Sequence, residues 1–150
     1  MQKLFIISNE AIYENNNVFF CDNKDLKSTP EGLEKNFEVN LIGRKTNIKR
    51  SHKINIKNIK IFSSLISFLR EIILSIKNEN TNYLIISISP YTFFACIFLR
   101  LFKKKPIIYL RSNGFDEYKI ILGHMGYIIY YFMFTISTSI STNISCRKYI

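Results

Sequence analysis

Apolar residues in this chain fall into blocks of two kinds whose alternation sets the fold class. Residues 3–8 (KLFIIS) and 83–89 (YLIISIS) are continuous runs rich in β-favouring residues, as in strands buried on both faces of a sheet. Shorter runs at 37–42 and 107–111 predict two more strands, and a last one lies near 142–146. Over 61–77 the spacing changes: Phe62, Leu65, Ile66, Leu69, Ile72, Ile73 and Ile76 recur at three and four residues, giving one apolar stripe on a helix. Pro90 stops the strand before it and opens a helix over 91–103, whose end carries Lys103, Lys104 and Lys105 where cations complement the helix dipole. A further helix is predicted over 118–134.

Smaller features fill the gaps. Asn15 to Asn17 make a turn into Val18-Phe19-Phe20-Cys21, a small strand. Ser28 and Thr29 as caps, Pro30 in the first turn and Glu31 behind it predict a short helix running towards Asn36. Ile54 and Ile56 alternate with lysine and asparagine as on an edge strand. Repeated strand, helix and strand units imply right-handed crossovers. The expected fold is α/β: a single domain over 1–150 with a Rossmann-like, open, mostly parallel sheet and helices on both faces.

Composition agrees with a folded core, since 47% of the 150 residues are hydrophobic. Two long uncharged stretches, 83–99 and 120–146 with only His124 in it, invite a reading as two membrane spans. Pro90 splits the first into a strand and a helix, and Ser/Thr/Ile alternation from Thr135 breaks the second, so both are assigned to a folded domain. The start reads as a strand rather than a signal peptide. Cys21, Cys96 and Cys146 are far apart and form no metal-binding spacing, which points to a reducing, cytoplasmic setting and no bound metal.

The net charge of +10 is concentrated in 44–60, where seven Lys/Arg occur without an acid. Arg44, Lys45, Lys49, Arg50 and Lys53 are candidates for contact with an anionic membrane surface or a phosphate-bearing substrate; the alternative is a solvated basic edge. Lysine, asparagine and isoleucine are abundant while alanine and glycine are scarce, as in AT-rich coding, so part of the charge reflects composition and no nucleic-acid partner is expected. Neither GxGxxG, GxxxxGK[ST], HExxH nor GxSxG occurs, and no cofactor is implied.

Ligands of open parallel sheets bind beyond the carboxyl ends of the strands. The polar loops there are Ser8-Asn9-Glu10, Ser89-Pro90-Tyr91 and Arg111-Ser112-Asn113-Gly114, the last followed by Asp116 and Glu117. Asn9, Glu10, Ser89, Tyr91, Arg111, Ser112 and Asn113 are therefore candidates for binding an acceptor. Asp116 or Glu117 could act as general base towards a hydroxyl, and Arg111 could neutralise a phosphate. Set against these roles are capping of the following helix by Asp116 and a structural ion pair for Arg111. His124, on a helix face, reads as structural.

The segments KLFIISN, DLKSTPEGL before FEVNLIGRK, NYLIISISPYTFFACIFLRLFKKKPIIYLRSNGFDEYK and STNISCRKYI together resemble the N-terminal half of GT-B glycosyltransferases of the family 4 kind. The resemblance implies an acceptor-binding domain acting on a glycan or lipid-linked acceptor, peripheral to the inner face of a membrane. It also implies a separate nucleotide-sugar domain or subunit, absent from these 150 residues, so that the chain is a truncated or split form. Unlike that family, the chain has Asn9-Glu10-Ala11 where a paired-glycine loop is common and no histidine after IIYL. A different class is a non-enzymatic, membrane-peripheral scaffold domain that uses its basic edge to recruit a partner.

Overall fold

The first apolar run is the central strand of the sheet, and it extends well beyond its hydrophobic centre. β1 (Gln2–Asn15) pairs in parallel with β3 (Phe37–Thr46) on one side and β6 (Thr81–Ile86) on the other. β5 (Asn58–Phe62) adds to β3, and β7 (Ile107–Leu110) and β8 (Asn143–Cys146) follow β6, all parallel. The path β5-β3-β1-β6-β7-β8 results. This is a computed structural model that describes residues 1–77, 80–141 and 143–146.

Past Ser8 the β1–β3 register shifts between Ile7 and Ala11, and β1 runs on to a tight turn at Asn16 and Asn17, both with positive φ (49° and 61°). Asparagine tolerates this region, which two-residue hairpins require. β2 (Val18–Cys21) returns antiparallel and pairs with β4 (His52–Ile54). With five parallel and two antiparallel pairings the sheet is mixed and open.

Alternation along β1 divides the core. Leu4, Ile6 and Ile12, with Val39, Leu41 and Ile86, pack on the face covered by α1 (Lys24–Leu33) through Leu26. Phe5 and Ile7, with Ile42, Tyr83, Ile85 and Ile108, face α2 (Leu65–Ile76), α3 (Pro90–Leu101) and α4 (Gly114–Ile140). Phe68 and Ile72 of α2 and Ala95, Cys96 and Leu99 of α3 close that side.

Four sequence expectations need correction. The first helix starts earlier, at Lys24, because Asn23 rather than Ser28 or Thr29 caps it, its Oδ1 accepting from the amides of Asp25 (2.9 Å) and Leu26 (3.3 Å). Pro30 therefore lies inside the helix, where it cannot donate to the Leu26 carbonyl. Ile61 and Phe62 belong to β5, not to the following helix, which begins only after its cap Ser64. The basic stretch holds a second strand, β4, and the alternating Ile54 and Ile56 are split, Ile54 ending β4 and Ile56 lying beyond it.

The fourth correction concerns α4. The helix predicted over 118–134 spans Gly114–Ile140 but turns back on itself at Gly123, whose φ of 65° and ψ of −149° are not helical. Phe115 lies 4.8 Å from Tyr130 and 5.3 Å from Phe134 between ring centroids, and Tyr118 lies 5.1 Å from Tyr130. In a continuous helix Phe115 and Phe134 would be about 28 Å apart at 1.5 Å per residue. α4 is thus an antiparallel hairpin of two helical arms, 114–122 and 124–140. Its arms meet closely because Gly114 faces the Tyr130 ring and Gly126 the Tyr118 carbonyl, where a Cβ would collide. By length and composition Gly114–Ile140 could cross a membrane, but folded at Gly123 it is not one straight span.

Candidate functional site

The middle of β1, where its pairing with β6 ends, and the carboxyl ends of β6 and β7 open onto one cleft of about 350 Å³. From β1 come Ser8, Asn9 and Glu10; after β6 come Ser87 and Ser89; after β7 come Arg111 and Ser112. β3 contributes Arg44, the loop after it Arg50, and the first arm of α4 Glu117 and Tyr118. Three guanidinium groups and two carboxylates thus border a space at the strand ends.

The neighbouring helices add to this potential. α3 and α4 both begin here, and a helix N-terminus carries partial positive charge and outward-pointing amides. Ser89 caps α3 in a reciprocal box with Thr92: the Ser89 amide donates to Thr92 Oγ1 (2.8 Å) and the Thr92 amide to Ser89 Oγ (3.4 Å). Thr92 Oγ1 also donates to the Ser87 carbonyl (2.9 Å), while the Ser87 amide donates to the Tyr109 carbonyl (2.9 Å). These bonds hold Ser87 at φ 61° between β6 and α3. A non-glycine residue there carries strain of about 1–3 kcal/mol, which clusters at functional positions.

Charges at the cleft are partly tethered. The Arg111 guanidinium donates to the Glu10 carboxylate (3.1 Å), joining the end of β7 to the continuation of β1. Arg44 lies over the Tyr91 ring, 5.8 Å from its centroid. Arg50 pairs with Asp22, whose carboxyl is held below its ordinary range chiefly by that guanidinium and by the Ser51 amide. Asn9 Oδ1, Ser87 Oγ and Arg50 Nε are buried without a hydrogen-bond partner in the protein. Buried polar atoms are nearly always satisfied, so these groups beside the cleft call for water or a polar ligand, the Arg50 donor suiting an anion and Asn9 Oδ1 a hydroxyl donor.

Of the residues expected from sequence, the structure gathers Asn9, Glu10, Ser89, Arg111, Ser112 and Glu117 at the cleft and adds Arg44 and Arg50 from the basic stretch. It does not place Tyr91, Asn113 or Asp116 in the lining. Tyr91 packs edge-on against Phe68 (5.3 Å). Asn113 caps α4, its Oδ1 accepting from the Phe115 amide (3.2 Å) and its Nδ2 donating to Asp116 (2.6 Å). Lys45 reaches Glu14 at 3.9 Å, and Lys49 and Lys53 are exposed on the same edge. Ser87 and Tyr118 were not anticipated; the one signal for Ser87 is a hydroxyl interrupting the apolar run YLIISIS. His124 sits at the exposed turn of α4, stacked on Tyr127 at 6.5 Å, outside the cleft lining. No protein-family model, curated protein or solved structure matches this chain.

Proposed function

We propose that the chain binds a phosphate-bearing, lipid-linked or glycan acceptor at the carboxyl edge of its sheet, as the acceptor half of a glycosyltransferase does, and relies on a separate donor-binding domain for transfer. The observation that carries this reading is the meeting of Arg44, Arg50 and Arg111 with two helix N-termini and the Asn9 and Ser87 side chains around one cleft. Guanidinium groups recognise phosphate through paired, charge-assisted hydrogen bonds. Serine and asparagine groups at the same rim suit sugar or phosphate oxygens. In this reading Glu117 stands where it could take a proton from an acceptor hydroxyl.

The sheet supports the Rossmann-like side of the proposal. Taken without the β2–β4 pair, its strands run parallel in the order β5-β3-β1-β6-β7-β8, reversing direction of growth at β1, and the cleft lies beside that reversal.

Calorimetric titration with a short-chain polyprenyl phosphate, and with the matching neutral alcohol, tests the proposal. Saturable binding of the phosphate alone is expected, weakened about tenfold or more by Arg44→Ala, the loss of a single charge-assisted contact. Equal binding of alcohol and phosphate, or an Arg44→Ala variant that binds as the parent does, would refute it.

A further inference from the structure

The cleft does not account for the most unusual surface of the molecule. At the turn of the α4 hairpin Ile120, Ile121, Leu122 and Met125 are 84%, 74%, 54% and 63% exposed. Below them Ile128, Ile129 and Phe132 continue the exposed surface to Phe94 of α3, and a wholly apolar groove of about 470 Å³ runs between the two helices. Monomeric proteins seldom leave apolar patches this continuous in water.

We propose that the α4 hairpin is a membrane-docking wedge whose turn inserts into the interfacial layer of an anionic bilayer. This holds whatever the cleft binds. Shape is the first argument. Residues 120, 121 and 122 are consecutive on a helix and point about 100° apart, so the end of the first arm exposes apolar side chains on more than one face, with Lys119 and His124 beside them, whereas a contact with a second copy would need only one stripe.

Size is the second. From Tyr118 to Gly123 the arm rises about 8 Å at 1.5 Å per residue, which matches the depth of about 5–10 Å to which interfacial helices enter the headgroup and acyl boundary. Lys119, exposed on this arm, has a stem long enough to return its ammonium to the headgroups. Tyr127 and Tyr131, 42% and 56% exposed, sit further down the second arm, as interfacial aromatics do.

Charge is the third and decides the occupant. The base of the hairpin, at Glu117 and Tyr118, borders the cleft lined by Arg44 and Arg50, which Lys45, Lys49 and Lys53 neighbour along the chain, and the whole chain carries +10. Glu14 and Asp22 offset Lys45 and Arg50 on this edge and Glu10 offsets Arg111, while Lys49 and Lys53 stay exposed. Asp116 and Glu117 remain at the base of the hairpin, not at its tip. Two copies meeting tip to tip would bring their cationic edges together, whereas phosphatidylglycerol headgroups would neutralise them.

The chain contains no tryptophan, so Leu122→Trp installs a single reporter at the tip and Ile66→Trp, at an exposed site on α2, serves as the control. With the full chain and vesicles of equal parts phosphatidylglycerol and phosphatidylcholine, Leu122→Trp should shift to the blue and be quenched by brominated acyl chains while Ile66→Trp is not. The double variant Ile121→Asp/Met125→Asp, both sites being exposed, should keep the parent circular dichroism and co-sediment with these vesicles at least about tenfold less. Added salt should release the parent. An unquenched Leu122→Trp, equal partition into pure phosphatidylcholine, or an aspartate variant that co-sediments like the parent would overturn the proposal. So would concentration-dependent dimerisation that the aspartates abolish, which would give the patch to a second copy.

Discussion

Replacing Gly126 by alanine separates the folded-back α4 from a straight helix by the sign of its effect. In a straight helix alanine is preferred over glycine by about 1 kcal/mol, so the variant would gain stability. In the hairpin a Cβ at 126 would collide with the backbone carbonyl of Tyr118 on the opposite arm and lie 2.9 Å from Leu122 Cβ. A backbone atom yields only if the arms separate, which loosens Tyr118 and Phe115 from Tyr130. Overpacking of this kind costs about 1–3 kcal/mol, enough to outweigh the propensity gain. A net loss of up to about 2 kcal/mol is expected, or up to roughly 8 °C in Tm for a domain of this size. Two other glycines calibrate the measurement. Gly123→Ala meets no atom within 4 Å yet forces alanine to φ 65°, at a cost of about 1–3 kcal/mol. Gly32→Ala, in the last turn of α1 with open space around it, should gain about 0.5–1 kcal/mol. Urea unfolding followed by circular dichroism reads all three. A Gly126→Ala variant stabilised to the same extent as Gly32→Ala would refute the hairpin.

Phe68, fully buried between the sheet and Tyr91, should cost about 3–5 kcal/mol as alanine in the same urea experiment. Asn23→Ala removes the acceptor for two amides at the start of α1 and should cost about 1 kcal/mol, recovered in large part by Asn23→Ser or Asn23→Asp. Burial pushes the Cys21 and Cys96 thiols up to about 11, so neither should react with Ellman's reagent near pH 8 unless the chain is first unfolded. Because the folded thiols keep protons that the unfolded chain releases, their contribution to stability is full below pH 9.0 and is lost as pH rises towards 11, a decline visible in pH-dependent melting.

The parallel strands were legible because their cause is local. A strand buried on both faces must be largely apolar, and LFII of β1 and YLII of β6 are, while Ser87 to Ser89, expected in the same strand, lie past its end at Ile86. The grouping of three loops into a cleft followed from the same fact, since parallel strands deliver all their carboxyl ends to one edge. What could not be read was which basic residues join them. Arg44 and Arg50 look like members of one solvated lysine-rich edge, and only the continuation of β3 to Thr46, paired with the extension of β1, carries them to the cleft. That extension has little hydrophobic signature, because β1 beyond Ser8 is half exposed and held by pairing on both sides.

The hairpin shows the opposite limit. Apolar periodicity over 118–134 is real on each arm, but it continues through Gly123 with only His124 to interrupt it, because Ile120, Ile121 and Leu122 before the turn and Met125 after it are apolar. Helix-forming pattern and helix-ending signal therefore conflict, and one rule that treats a glycine inside an apolar run as tolerated gives a single rod. Spacing of small residues carries the information instead. Gly114, Gly123 and Gly126 are three of the chain's five glycines, and each answers a separate demand: room for the Tyr130 ring, a positive φ, and room for the Tyr118 carbonyl. A straight helix would require none of them and would lose stability at each. Their clustering in the most apolar part of the chain is a cost only a folded-back helix recovers, through the stacking of Phe115 and Tyr118 on Tyr130.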